Sequence, residues 1–328
     1  MARCAHNAER KIAIRNNLIQ NPVFVTGLSR SGKWMLSTIL SSFERAEKVN
    51  TDYLMEQIIM MRMLGVLRGD VAEYLVRYAV DLAAYNLFIG RNVNIRPGDY
   101  TSILKTPGKS SAFAKRLLSE EGKVVRQRII ESDPVFIMLV HDALWHFGVY
   151  RDAFPCMKMI HMERHPVDVV YSWFSKGYGS DFARDAFNST VTVNAGKKQF
   201  FYYTAGREDE YSRMSEADRV IRMVRDVSER HRRTYRSLSG DERKMVRIII
   251  FEKFVTDPGP FLKDLAVFLA TSASRYTPGV CRQERCPRKP DAQEREKKIK
   301  KLKAAASRKA FQALLDMAAE YETANGLK

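Results

Sequence analysis

The stretch Pro22-Val-Phe-Val-Thr-Gly27-Leu-Ser-Arg30-Ser31-Gly32-Lys33-Trp34 constrains the fold of this 328-residue chain more than any other. It reads as a short buried strand, a Gly- and Ser-bearing turn, and a helix starting at about Ser31. Backbone N–H groups at such a turn converge on one point, and the helix dipole adds positive potential there, which makes an anion cradle. Gly27 to Lys33 satisfies the phosphate-loop pattern G-x-x-x-x-G-K-[ST] up to its last position, where Trp34 replaces the hydroxyl residue. That hydroxyl holds Mg²⁺ in phosphoryl-transfer enzymes, and an indole cannot. The loop is therefore expected to bind a phosphate without serving ordinary metal-dependent phosphoryl transfer.

The length suffices for a full core, and 45% hydrophobic residues argue against disorder. The formal net charge of +17 points to an anionic partner: a nucleotide, a sulfated or phosphorylated polymer, an acidic membrane surface or nucleic acid. Charge that merely keeps the protein soluble is the plainer alternative. Cys4, Cys156, Cys281 and Cys286 are too few and scattered for a disulfide scaffold, and Cys281 and Cys286 lack the further ligand pair of a zinc site. The pair can close a small loop under oxidising conditions. Met1 to Gln20 is polar and basic and no apolar run reaches membrane-spanning length, so a cytoplasmic protein is the expectation.

Short apolar strands are predicted at Val23–Thr26, Tyr100–Lys105, Lys158–Glu163 and Met245–Phe251. Thr106-Pro107-Gly108 stops the second. Helices are predicted at 31–43, 52–67, 70–89, 110–120, 135–150, 166–176, 216–238 and 258–269. The methionines at 55, 60, 61 and 63 read as core filling. This alternation predicts an α/β fold, a central parallel sheet covered by helices on both faces. Ligands of such folds sit at the carboxyl ends of strands, where this reading places Arg30 and Lys33, then Lys105, then Arg164. The whole chain reads as a single domain, with an α/β core over 21–270 and a basic loop and C-terminal helices over 271–328. Residues 181–213, with the run Phe200-Phe201-Tyr202-Tyr203, form either an acceptor-binding segment or a surface excursion. Lys297, Lys298, Lys300, Lys301 and Lys303 read as a solvated helix face, with contact to a polyanion or acidic lipid as the alternative.

Two further signatures point to a family. Lys158-Met-Ile-His-Met-Glu-Arg164-His-Pro166 ends a strand at an Arg-x-Pro turn, and Ser172 follows eight positions after Arg164. Arg247-Ile-Ile-Ile-Phe-Glu252-Lys-Phe-Val-Thr-Asp257-Pro258 is a strand, an acidic turn and a helix start. In order and spacing with the first loop, from Val23 to about Leu269, these segments resemble the sulfotransferases that use 3′-phosphoadenosine 5′-phosphosulfate (PAPS), and the loop is closest to the carbohydrate-type and bacterial branch. The resemblance implies a P-loop-NTPase-like core. It implies that Arg30, Ser31, Gly32, Lys33 and Trp34 hold the 5′-phosphosulfate, with Arg30 near the bridging oxygen. Arg164 and Ser172 match the pair that holds the 3′-phosphate, Lys105 is similar to a lysine near the sulfonate, and Arg288-Lys289 resembles a basic loop closing over the nucleotide.

The chain departs from the family at Lys33-Trp34, where many relatives carry a hydroxyl pair, and at Pro107, where cytosolic relatives carry a histidine. The base must then come from elsewhere, and Glu56 and His141 are the candidates. Core or surface roles remain open for both. Glu252 is expected to order its loop, and Asp257 to cap the following helix. The expected activity is metal-independent, in-line transfer of a sulfuryl group from PAPS to an acceptor hydroxyl of a sugar or glycolipid, releasing adenosine 3′,5′-bisphosphate. Arg30, Lys33 and Lys105 are the expected cations at the reacting centre. The alternatives are a phosphate-loop kinase or NTPase and a nucleic-acid-binding protein. Trp34 opposes the first. Basic residues collected at strand ends, rather than in a stripe, oppose the second.

Overall fold

The computed structural model describes residues 16–105, 110–118, 122–182 and 190–327. Strand β1 (Val23–Thr26) leads into α1 (Lys33–Leu40), α2 (Tyr53–Met63), α3 (Gly69–Phe88), α4 (Ser110–Arg116) and α5 (Lys123–Ser132). Strand β2 (Ile137–Leu139), α6 (Phe147–Ala153), β3 (Lys158–Glu163) and α7 (Pro166–Ser175) follow. A hairpin of β4 (Thr192–Ala195) and β5 (Lys198–Phe201) precedes α8 (Glu208–Ser212), α9 (Glu216–Ser237), α10 (Gly240–Lys244) and β6 (Val246–Ile250). The chain continues through α11 (Phe251–Thr256), α12 (Pro258–Phe268), α13 (Thr277–Gln283), α14 (Ala292–Ala305) and α15 (Arg308–Asn325).

The central sheet has the order β2-β1-β3-β6, with every pairing parallel. A strand buried on both faces must be apolar in both directions. Accordingly Phe24, Met138, Met159 and Val246 pack with α3, α5 and α6 on one face. Val23, Val25, Ile137, Leu139, Ile160, Met162 and Ile249 pack with α1 and α11 to α13 on the other. A further core joins α7, α9, α14 and α15 with the tyrosines after β5. The α/β architecture expected from the sequence is the one found, and the C-terminal region is helical. No helix among the described residues is long and apolar enough to cross a membrane.

The second strand was misplaced by sequence reasoning. Ile103–Lys105 is a turn of 3₁₀ helix, and Tyr100 is half-exposed. The partner of β1 is β2, in register Val23↔Ile137, inside the segment predicted as helix 135–150. A short apolar run such as Ile137-Met138-Leu139 fits a buried strand or a buried helix equally, and the pairing edge decides. Thr106-Pro107-Gly108 and Cys4 lie outside the described residues, as do residues 183–189 of the segment 181–213. The aromatic run of that segment is buried rather than displayed. Cys156, Cys281 and Cys286 are free thiols, and the latter two are buried.

Strand order fixes the place of the site. After β1 the chain adds β2 on one side, then crosses to place β3 on the other, so the carboxyl end of β1 opens into the crevice at this reversal. Helix α7 flanks the crevice and is held from outside. Buried Asp168 accepts hydrogen bonds from Arg295 at 3.0 Å and Lys298 at 2.7 Å, both on α14. His165, before α7, faces Glu322 at 3.2 Å, and Tyr321 donates to Glu252 at 2.7 Å, so α15 adds a second anchor. Asp168→Ala leaves two cations without their carboxylate and should cost about 1–3 kcal/mol. Urea unfolding should show the loss, and limited proteolysis should cut before α14 earlier than in the parent protein.

Candidate functional site

Strand β1 ends at Thr26, and the turn that follows passes through left-handed backbone at Gly27 (φ 140°), Arg30 (φ 69°) and Gly32 (φ 100°). A Cβ on Gly27 would lie 2.4 Å from the Met162 carbonyl oxygen, and one on Gly32 would lie 2.5 Å from the Phe251 ring. Glycine is required at both positions by conformation and by space. Helix α1 starts at Lys33, two residues later than expected, and no side chain caps it. Its first N–H groups are left for an anion.

Lys33 is 2% exposed, and its Nζ donates to the carbonyls of Gly27 at 2.8 Å and Leu28 at 3.4 Å. The ammonium thus closes the turn from beneath. Burial lowers its pKa to about 8, against the opposing charges of Asp142 and Glu56.

The structure brings the expected basic residues together. Arg30 Nε donates to Ser172 Oγ at 3.0 Å, and Arg164 Nη1 donates to the Arg30 carbonyl at 2.9 Å. Arg164 also stacks on the Phe251 ring at 4.4 Å. Arg288 lies over the same ring at 5.5 Å and is tied back by Nη1 to the carbonyls of Glu284 and Arg285, each at 3.0 Å. Arg30, Arg164, Arg285 and Arg288 line one cavity of about 1040 Å³ with Gly32, Lys33 and Trp34. Arg164 Nε is buried beside it with no hydrogen-bond partner among the described residues, whereas Ser31, expected at the phosphosulfate, lines a separate small cavity with His161 and Met162, and its buried Oγ is likewise unpartnered. A buried donor such as Arg164 Nε, above a turn that tolerates no Cβ, fits a phosphorylated ligand. Ser172 reaches the cavity through Arg30 and does not itself line it.

Glu56 and His141 meet in the same cavity. Glu56 Oε1 accepts both the backbone N–H and the ring Nδ1 of His141, each at 2.8 Å. A carboxylate at Nδ1 fixes the hydrogen there and leaves the lone pair on Nε2, the arrangement that suits a general base. Burial alone would push Glu56 up, but the hydrogen bonds from His141 and the Lys33 charge hold it below the usual carboxylate range. Next in sequence, Asp142 is wholly buried with φ 53° and accepts hydrogen bonds from Tyr203 and Tyr202. Burial raises its pKa, with the Lys33 charge opposing. Glu252 and Asp257 take the structural roles expected. Glu252 accepts the His165 N–H at 3.0 Å, and Asp257 caps α12 through the Gly259 N–H.

Besides Ser31 and Ser172, two expected lysines stand apart from the cavity. Lys105 ends no strand: it lies on the 3₁₀ turn, its ammonium donates to the Gly98 carbonyl at 2.8 Å, and it is not among the cavity residues. Its neighbour Tyr100 does line the cavity and stacks with Trp34 at 5.6 Å. Lys289 is exposed, and Arg285 lines the cavity where Lys289 does not. Sequence reasoning also missed Phe251, the shelf for two arginines, and the aromatic wall of Tyr53, Trp173 and Tyr178. Phe251 had a signal in its place directly after β6. Tyr53, Trp173 and Tyr178 had none, whereas Phe201 and Tyr203, which also line the cavity, belong to the aromatic run for which an acceptor-binding role was one of two readings.

A pH dependence follows from Lys33. Above pH 8 the ammonium of the free protein loses its proton, and an anion at the loop must draw one back. Affinity for a phosphorylated anion should therefore fall above that pH, by up to about tenfold per unit. Lys33→Arg, charged throughout this range, should flatten the profile measured by calorimetry.

No family model matches the sequence, and no curated protein matches it. Among solved structures the chain is similar to the sulfotransferase domain of the Synechococcus olefin synthase, with 14% identity over 95% of this chain and 97% of that one and a TM-score of 0.45. It is also similar to a sulfotransferase from Mycobacterium avium, with 12% identity over 93% of this chain and 77% of that one and a TM-score of 0.45. The sulfotransferase domain of the curacin biosynthetic pathway shares 14% identity over 79% of this chain and 77% of that one, with a TM-score of 0.42.

Proposed function

We propose that this chain is a sulfotransferase that takes a sulfuryl group from PAPS and places it on an acceptor hydroxyl, preferably of a sugar or glycolipid. The observation that carries the reading is the junction of Arg30, Ser172 and Arg164. Arg30 of the phosphate-type loop meets Arg164 and Ser172 of the distant β3–α7 segment, and Arg164 and Arg30 face the cavity. An ordinary nucleoside triphosphate has no 3′-phosphate to reward such a cluster. Trp34, stacked on Tyr100, occupies the position where phosphoryl-transfer enzymes place a metal-binding hydroxyl.

The donor supplies a sulfur centre whose bond to the phosphate oxygen breaks as the acceptor oxygen attacks in line. The chain's part is largely electrostatic and positional. Arg30 and the loop N–H groups are placed to stabilise charge growing on the phosphate oxygen. Lys33 holds the loop to its shape and adds charge from below. Arg164 and Arg288, both held against the Phe251 ring, would fix the nucleotide end. His141 Nε2 takes the proton of the acceptor hydroxyl, and Glu56 orients the ring and stabilises the imidazolium that forms.

Calorimetry should show adenosine 3′,5′-bisphosphate binding without Mg²⁺, with a loss of tenfold or more in Arg164→Ala. Tighter binding of ATP–Mg²⁺ than of the bisphosphate would overturn the reading in favour of a kinase. Glu56→Gln and His141→Ala should lower turnover with labelled PAPS by about 10²–10⁴ while bisphosphate affinity holds. Turnover at the parental rate in both variants would place the base elsewhere.

A further inference from the structure

The cavity has two unlike halves. Around the loop it is walled by Arg30, Lys33, Arg164, Arg285 and Arg288. The same cavity is also lined by aromatic rings, Tyr53, Trp173, Tyr178, Phe182, Phe201 and Tyr203, and Trp173 joins them to the loop by donating to the Ser29 carbonyl at 2.9 Å. These rings are largely continuous. Trp173 lies 5.4 Å from Tyr178 and 5.7 Å from Tyr203, Tyr178 lies 5.3 Å from Phe201, and Phe201 lies 4.5 Å from Phe182. Trp173, Phe201 and Tyr203 are buried and back this wall, so the ring faces open to a ligand are those of Tyr53, Tyr178 and Phe182, which suit a flat ligand, an arene or the apolar face of a sugar.

One cation stands in this half. Lys176 follows the last residue of α7, is exposed, and lines the cavity beside Tyr178. It makes no ion pair with a carboxylate among the described residues. Of the two acids that line the cavity, Glu56 is already engaged by His141, and Glu284 follows α13 next to Arg285. A charge at the edge of a low-dielectric wall focuses its field into the cavity, and it acts on an acceptor only if the acceptor carries the opposite sign.

Resting on the sulfotransferase reading, we infer that the acceptor is itself an anion: a hydroxylated ring whose carboxylate, or comparable acidic group, is held by Lys176 while the ring lies on the aromatic wall. The second negative charge is accommodated because the acceptor half contributes its own cation. A neutral alcohol of the same shape gains only a weaker hydrogen bond from the Lys176 ammonium, so that residue sets specificity.

The test compares matched pairs that differ in the acid. One pair is para-nitrophenyl glucuronide and para-nitrophenyl glucoside; the other is para-hydroxybenzoate and para-hydroxybenzamide. Dissociation constants are measured by calorimetry on the enzyme saturated with adenosine 3′,5′-bisphosphate, and again on the free enzyme, so the result does not wait on turnover. The acid should bind about tenfold or more tightly than its neutral partner in at least one pair, the scale of one charge-assisted contact. Preference within the sugar pair assigns a uronic-type acceptor, and preference within the arene pair assigns a phenolic acid. Lys176→Arg should keep the ratio, Lys176→Ala should collapse it towards one, and Lys176→Glu should invert it. A simple helix-end role for Lys176 would leave that ratio untouched in all three. Equal binding within both pairs, or a ratio indifferent to Lys176→Glu, overturns the inference. Bisphosphate affinity separates the two levels: if it is normal while the ratios are flat, only the anionic acceptor fails, and if the bisphosphate does not bind, the donor reading fails first.

Discussion

A buried ammonium under a turn of left-handed backbone is the interaction on which the site depends. Lys33 satisfies the carbonyls of Gly27 and Leu28 from inside the protein, so the opposite side of the turn presents N–H groups. Desolvating that charge is costly, and the pKa of about 8 records the cost. Asp142 offsets part of it from below, and the same carboxylate receives the hydroxyls of Tyr202 and Tyr203. The Gly27–Gly32 loop, the turn that carries His141 and the aromatic side of the cavity therefore share one buried electrostatic knot. None of the three can shift without disturbing the others.

Phe251 organises the other side of the loop. Its ring lies where a Cβ of Gly32 would be, and it carries Arg164 and Arg288 against it. Guanidinium groups stacked on an aromatic face keep their edges free for an anion and lose little freedom when one binds. The Gly32 requirement and the placement of two arginines are thus one packing fact.

Much of this was legible in the sequence, and the limits are physical. Strand β3 and the cap at Asp257 were readable because charge, proline and turn residues bound them sharply. Strand β2 was not, since Ile137-Met138-Leu139 carries no local mark that separates strand from helix and its identity is settled by pairing with β1. The misplacement of Lys105 follows from that error: a lysine is at a strand end only if there is a strand. Glu56 and His141 were named separately from their residue types, but their contact across 85 positions is a product of the fold. The aromatic wall is less legible still, because no one segment contains it.

The anchoring of α7 has a consequence for how the protein is made. The helix that carries Ser172 is pinned by Lys298, which follows Asp168 by 130 positions, and its entry turn by residues of α15. A ribosome therefore releases β1, the loop and α7 well before it releases the side chains that hold α7 in place. Until then Asp168 is a carboxylate facing an uncovered surface. The geometry of the cavity is completed late in synthesis, by residues that do not line it.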